Sequence, residues 1–175
     1  MLKKNSKKYQ KPMLFFLMMK NVAEELGDQR QLGLILGNIG VAEHMYGRIP
    51  EALAYHEQAR AILEAIDDKR ELARTWNSTA VIRWQDGDLA GSLAANLEAK
   101  RLQEAINHRQ GLANSLNNIG VVYKDQGDLA AALERFSDRE AARGAGRRAR
   151  RRGRVRRAGR RTAAPSSRRC CGPCP

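Results

Sequence analysis

The sequence predicts an all-α fold, a right-handed solenoid of helical hairpins followed by a disordered C-terminal tail. Three observations predict it. The chain matches itself when shifted by forty residues, the matching segments carry apolar residues at helical spacing, and Gly falls at the same point of each unit.

The repeat is read directly from the residues. Leu32-Gly33 matches Leu72-Ala73 and Leu112-Ala113, and Asn38-Ile39-Gly40-Val41 matches Ser78-Thr79-Ala80-Val81 and Asn118-Ile119-Gly120-Val121. Gly47-Arg48-Ile49 then matches Gly87-Asp88-Leu89 and Gly127-Asp128-Leu129, and Ala52-Leu53 matches Ser92-Leu93 and Ala132-Leu133. Ala59 pairs with Ala99, and Ala65-Ile66 with Ala105-Ile106. No insertion is needed anywhere, which composition alone would not produce.

Each unit reads as two helices. First helices are expected over about 30–46, 70–86 and 110–126, where Leu116, Ile119, Gly120 and Tyr123 keep the three-and-four spacing of one helical face. Gly47, Gly87 and Gly127 end them, because Gly accepts the left-handed conformation just past a helix terminus. Asp88 and Asp128 come next as N-caps of the second helices. Arg48 breaks that pattern, although Pro50 suits a first helical turn. Second helices are expected over about 49–66, 89–106 and from 129 onward, ending at the polar turns Asp67-Asp68 and Asn107-His108. Gly40, Ala80 and Gly120 would face Ala52, Ser92 and Ala132 across each hairpin. Trp76, Leu36, Leu116, Leu53, Leu93 and Leu133 would fill the space around that contact. No unit could bury its apolar faces alone, so stability must come from stacking on neighbours.

Charge divides the chain into three. Residues 1–20 carry six Lys and no acid, residues 21–140 hold all nineteen acids against thirteen Lys or Arg, and residues 141–175 hold thirteen Arg and no acid. A mildly acidic domain therefore lies between two basic ends, and the net charge of +13 describes none of them. The expected organisation is a basic arm over 1–11, a repeat domain over 12–138 and an Arg-rich low-complexity tail over 139–175. Within the repeat domain a partial repeat (12–29) precedes units 30–69, 70–109 and 110–138. The apolar run Met13–Met19 is too short to span a bilayer and has no small-residue cleavage site after it. It reads as a helix covering the open end of the stack, without the polar outer face of a terminal cap, as if the chain were cut from something longer.

The third unit carries a family resemblance. Leu116, Ile119-Gly120, Tyr123, Gly127, Ala132 and Phe136 keep the order and spacing of a tetratricopeptide repeat. The earlier units keep Gly40 or Ala80 and Ala52 or Ser92. They depart at Glu43 and Arg83, where Tyr is usual, and at His56 and Asn96, where Phe is usual. The period is similar to the long-helix variety found in kinesin light chains and in many bacterial signalling proteins.

That resemblance implies a concave groove lined by the first helices, binding a protein or an extended peptide. Its outward-looking residues would be Leu34, Gly37, Val41 and His44 in the first unit. Their counterparts, the candidate binding residues, are Arg74, Asn77, Val81 and Trp84, then Asn114, Asn117, Val121 and Lys124. An Asn amide both donates and accepts, so a column of them can grip a peptide backbone irrespective of side chains. Arg74 and Lys124 could read an acidic ligand, and Trp84 could supply an aromatic anchor. Alternatively these are ordinary solvated helix positions, with Asn38 and Asn118 bonding locally between repeats.

Apparent catalytic signals have simpler explanations. Cys171-Gly172-Pro173-Cys174 spells a redox motif but lacks the helix N-terminus and βαβ setting that such chemistry needs. His44, His56 and His108 share no metal-ligand spacing, and the sequon Asn77-Ser78-Thr79 falls in mid-helix. Neither a phosphate loop nor a nucleophile elbow is present, so a non-catalytic scaffold with no cofactor and no metal is expected. All three cysteines lie in the last six residues, which suits a cytoplasmic protein. From about Ser137 the repeat stops inside a helix that would otherwise run on to around residue 146. Two readings of the Arg-rich tail compete. One is a segment that binds nucleic acid through phosphate neutralisation; the other is a GC-rich gene read out of frame.

Overall fold

The computed structural model describes residues 6–144, with side chains from residue 13. The Cys-containing C-terminus and nearly all of the Arg-rich tail lie outside the described residues. Helices α1 (Ser6–Glu25), α2 (Gln29–Met45), α3 (Ile49–Ala65), α4 (Lys69–Gln85), α5 (Leu89–Ala105) and α6 (Arg109–Asp125) succeed one another in that order. A further helix, α7, occupies 129–144. The expected helices agree to within a residue at most ends. Two differences stand out: α1 begins at Ser6 and runs through Pro12, and α7 continues beyond Ser137. An interior proline loses one intrahelical hydrogen bond and crowds the carbonyl four residues back, and packing of Met13 and Phe16 on the repeats holds the part of α1 that follows it.

A twenty-residue half-period governs the turns. Gly27, Gly47, Asp67, Gly87, Asn107 and Gly127 all adopt positive φ, between 52° and 86°. At each of them the next residue's N–H donates to the carbonyl five positions back, as from Arg48 to Glu43 (3.0 Å) and from Asp68 to Leu63 (3.0 Å). This is the Schellman arrangement, which satisfies carbonyls left over at a helix end. Asp67 and Asn107 stand where Gly would be expected, and short polar side chains are the ones that tolerate this conformation. Asp28, Asp68, Asp88 and Asp128 then cap the next helices, accepting from Gln31, Glu71, Gly91 and Ala131 at 2.8–3.2 Å.

Helices α2 and α3 pack as one hairpin and α4 and α5 as the next, while α3 on α4 and α5 on α6 join successive units. The core runs along the stack rather than sitting in one place. Ala23, Leu32, Ile35, Leu36, Ile39 and Ala59 form a cluster on which Met13 and Phe16 of α1 rest. The apolar run of the first helix thus packs on the repeats, while Leu14, Phe15 and Met18 of that run remain exposed. Leu63, Leu72, Ala73 and Leu102 form the next cluster with Trp76 against it. The Arg60 guanidinium lies 3.9 Å above the Trp76 ring, adding a cation–π contact to that packing.

Small residues allow the close approach within hairpins. A Cβ at Gly40 would stand 3.1 Å from the Ala52 carbonyl and 2.9 Å from the His56 ring, and one at Gly120 would stand 2.6 Å from the Phe136 ring. The side chain opposite the small position is therefore Phe in the third unit but His56 and Asn96 in the first two.

The departures at positions 43 and 48 explain each other. Glu43, buried and in the place of a usual Tyr, pairs with Arg48, in the place of a usual capping Asp. One unit later the charges are exchanged, with Arg83 reaching Asp88 at 3.2 Å. Glu43→Arg alone is expected to destabilise the fold by about 2 kcal/mol, since it places a cation at a buried position beside the half-exposed Arg48. Adding Arg48→Asp should restore most of that loss, and it supplies the missing cap, worth about 1 kcal/mol. Urea unfolding of the single and double variants measures both. A double variant no better than the single one would deny the pairing.

Candidate functional site

The candidate site arises from how the helices touch. First helices approach first helices closely, α2 with α4 and α4 with α6, whereas the backbones of the second helices α3 and α5 stay farther apart. The inner side of the stack is therefore built from α2, α4 and α6. Val41, Val81 and Trp84 are about two-fifths exposed along it, and Val121 is partly covered.

Three of the candidate residues converge. Val81, Trp84 and Val121 line one cavity of about 180 Å³ between α4, α5 and α6, together with Ala80, Ser92, Asn96, Asn118 and Val122. Trp84 is fixed there by its indole N–H, which donates to Asp125 Oδ2 at 2.7 Å and so ties one repeat to the next. Forty residues earlier a cavity of about 60 Å³ lies between α2, α3 and α4, lined in part by Val41, His56, Arg74 and Ser78. Positions 41, 56 and 78 correspond to 81, 96 and 118, so the repeat places a hollow in the same spot twice.

The two Asn of the proposed column sit differently. Asn77 Oδ1 is 2.9 Å from the Ser115 hydroxyl, which is also 2.7 Å from Gln103 Oε1, and Asn117 Oδ1 accepts from Arg139 at 2.7 Å. The Ser115 hydroxyl has one proton to share between Asn77 and Gln103, and both Asn side chains are thus tied to a neighbouring helix. Asn77 thereby bonds between repeats and Asn117 within the third hairpin, whereas Asn38 is exposed. Arg74, Asn114 and Lys124 are exposed. Arg74 Nε is 2.8 Å from Glu71 Oε2, Lys124 Nζ is 3.6 Å from Asp125 Oδ1, and Asn114 Oδ1 accepts from Gln110 at 3.3 Å. Both cations therefore carry a nearby acid that an acidic ligand would have to displace. In the first unit Gly37 is buried and Leu34 and His44 are half-buried, so that end of the groove offers less surface.

Ser92 and Asn96 were not among the candidates, because they lie on a second helix and face inward. The signal available was the departure from Phe at position 96. Asn96 is 1% exposed and its Oδ1 has no partner, while its Nδ2 donates to the Ser92 carbonyl at 3.1 Å. The Ser92 hydroxyl is equally buried and unpartnered, as are both His56 nitrogens. Burial, reinforced by Arg60, His44 and Arg74, pushes the His56 imidazole down to about 4, so it is neutral. Among the described residues no group of three His, Cys, Asp or Glu is placed to hold a metal, and no helix is long and apolar enough to cross a membrane.

Comparison with known proteins agrees with this geometry. The tetratricopeptide repeat model matches residues 112–136, the unit in which the pattern is best kept. No curated protein is similar to the chain in sequence at a significant level. Among solved structures, BtubC (BKLC) from P. vanneervenii superposes with a TM-score of 0.70 at 16% identity. The match covers 96% of this chain and 64% of that one, so the present sequence spans less than two thirds of the length of its structural neighbour. At such low identity the likeness is one of fold. With its repeated hairpins and left-handed turns the chain has the fold of a helical-repeat solenoid similar to tetratricopeptide repeats, and its third unit matches that family's model.

Proposed function

We propose that the concave face of α2, α4 and α6 binds an extended peptide segment of a partner protein, and that the chain works as a non-catalytic module of a larger cytoplasmic signalling or regulatory protein. The observation that carries this reading is the gathering of Val81, Trp84 and Val121 on the inner side around one open cavity. An aromatic anchor beside an apolar hollow, rimmed by polar side chains, is the usual anatomy of a binding hot spot. Asn77, Asn114 and Asn117 supply amide groups for a peptide backbone, and Arg74 and Lys124 supply charge that favours acidic segments.

A peptide selected from a random library on the full chain, at a salt concentration that suppresses polyanion binding, provides the test. Trp84→Ala is expected to weaken that peptide at least tenfold, in the range of a truncated aromatic anchor. Leu97→Ser, an exposed change on α5, should leave it unaltered. Equal affinity for wild type and Trp84→Ala would refute the groove as the binding surface.

A further inference from the structure

The cavity between α4, α5 and α6 has a chemistry beyond that of a peptide groove. Ser92 and Asn96 border it, and each is 1% exposed and holds an oxygen without a partner. Leaving a buried acceptor or hydroxyl unmatched costs free energy that any suitable donor would recover. The Asn96 Oδ1 lacks a donor, while one of its two N–H groups is given to the Ser92 carbonyl. The Ser92 hydroxyl has a proton to give and lone pairs to receive one.

The other walls are Ala80, Val81, Trp84, Val121 and Val122 with the polar Asn118, and no lining residue carries a charge. The volume, about 180 Å³, exceeds the roughly 150 Å³ of an apolar cavity that takes up benzene. An occupant that fits must therefore present a flat apolar body of one aromatic ring, no net charge, and a single group that both donates and accepts. A phenol is the simplest chemistry meeting all three conditions.

The geometry points to a binding site for a neutral phenol in this cavity, its ring between Trp84 and the valines and its hydroxyl shared by Asn96 Oδ1 and Ser92 Oγ. The third unit shows what closes such a space: there Phe136 lies against Gly120, close enough that a Cβ on the glycine would meet the ring at 2.6 Å. In the second unit Asn96 replaces that Phe and Ala80 replaces that Gly, and the hollow opens. This inference goes beyond the peptide groove and does not depend on it, because the phenol can belong to a free small molecule or to a tyrosine.

Titration of the isotope-labelled full chain with p-cresol and with toluene, monitored by NMR, tests it. Expected is saturable binding of p-cresol, with shifts at Ala80, Asn96 and Val121, about tenfold tighter than toluene, the value of one hydrogen-bonded hydroxyl. Asn96→Leu should abolish that preference, and Ser92→Ala should reduce it. The pair Ala80→Gly with Asn96→Phe, copying the third unit, should lose binding of both while remaining folded by circular dichroism. Toluene binding as tightly as p-cresol, no saturable shift with either, or shifts away from these residues would each overturn the proposal. A capped Gly-Tyr-Gly peptide decides the source: binding as tight as p-cresol indicates a tyrosine, and weaker binding a free phenol. Phenol binding retained where no peptide binds would leave this site standing and remove the groove reading alone.

Discussion

His56→Phe is expected to stabilise the protein by about 1–3 kcal/mol at neutral pH and to flatten its acid unfolding. His56 is 1% exposed with both ring nitrogens unpartnered, so the fold carries the desolvation of a polar ring without compensation. Phe at this position would lie against Gly40 as Phe136 lies against Gly120, and the small hollow beside it would be filled. The pH dependence has a definite sign. Burial, with the nearby cations, lowers the folded imidazole from 6.5 to about 4, so the unfolded chain binds a proton first as pH falls. Stability is fully present above about pH 6.5 and is lost progressively as pH drops through about 4. The part lost to this one group comes to about 3 kcal/mol. Urea unfolding of wild type and variant from pH 7 to pH 4 should show two curves that separate further as pH falls. Parallel curves would mean that His56 gains a partner in the fold.

The second large effect is expected at Leu63, where successive units join. Leu63 is fully buried in a cluster with Leu72, Ala73 and Leu102, and it also covers Gly33, whose hypothetical Cβ would meet Leu63 Cδ2 at 2.9 Å. Leu63→Ala should cost about 3–4 kcal/mol, because the helices on three sides cannot collapse fully into the space left. Gly33→Ala alone should give little or no gain, the better helix propensity being offset by overpacking against Leu63. In the Leu63→Ala background the same change should stabilise by about 1 kcal/mol or more, since the obstructing methyls are gone. A thermodynamic cycle of the four proteins measures this coupling. Strict additivity would show that the two positions do not touch.

Much of the fold was legible because repetition multiplies weak signals. One Gly in a helix-like pattern says little, but Gly47, Gly87 and Gly127 at equal intervals mark the same turn three times. The turns at Asp67 and Asn107 were legible only as polar, since neither residue type demands a left-handed backbone. Their conformation comes from the hairpin geometry that Gly27, Gly47, Gly87 and Gly127 share. The start of α1 was not legible, because Pro12 reads as a helix beginning when taken alone. For the site, helical spacing was enough to place Val81, Trp84 and Val121 on one face. It could not show that Asn77 and Asn117 turn their amide groups to neighbouring helices, because those partners lie 38 and 22 residues away. Nor could it show a cavity. A hollow depends on what position 96 fails to fill and on how closely α5 and α6 approach, and both are properties of the packed stack. The departures from Phe at His56 and Asn96 were visible as irregularities, and packing turns them into the orphaned polar groups of the interior.

The measurement that bears most directly on the binding reading is amide chemical-shift mapping of the full chain with a peptide selected on it. Expected are perturbations concentrated on the inner faces of α4 and α6, at Arg74, Val81, Trp84, Asn114, Val121 and Lys124. Perturbations confined to the outer surfaces of α3 and α5, with these six residues unmoved, would contradict it.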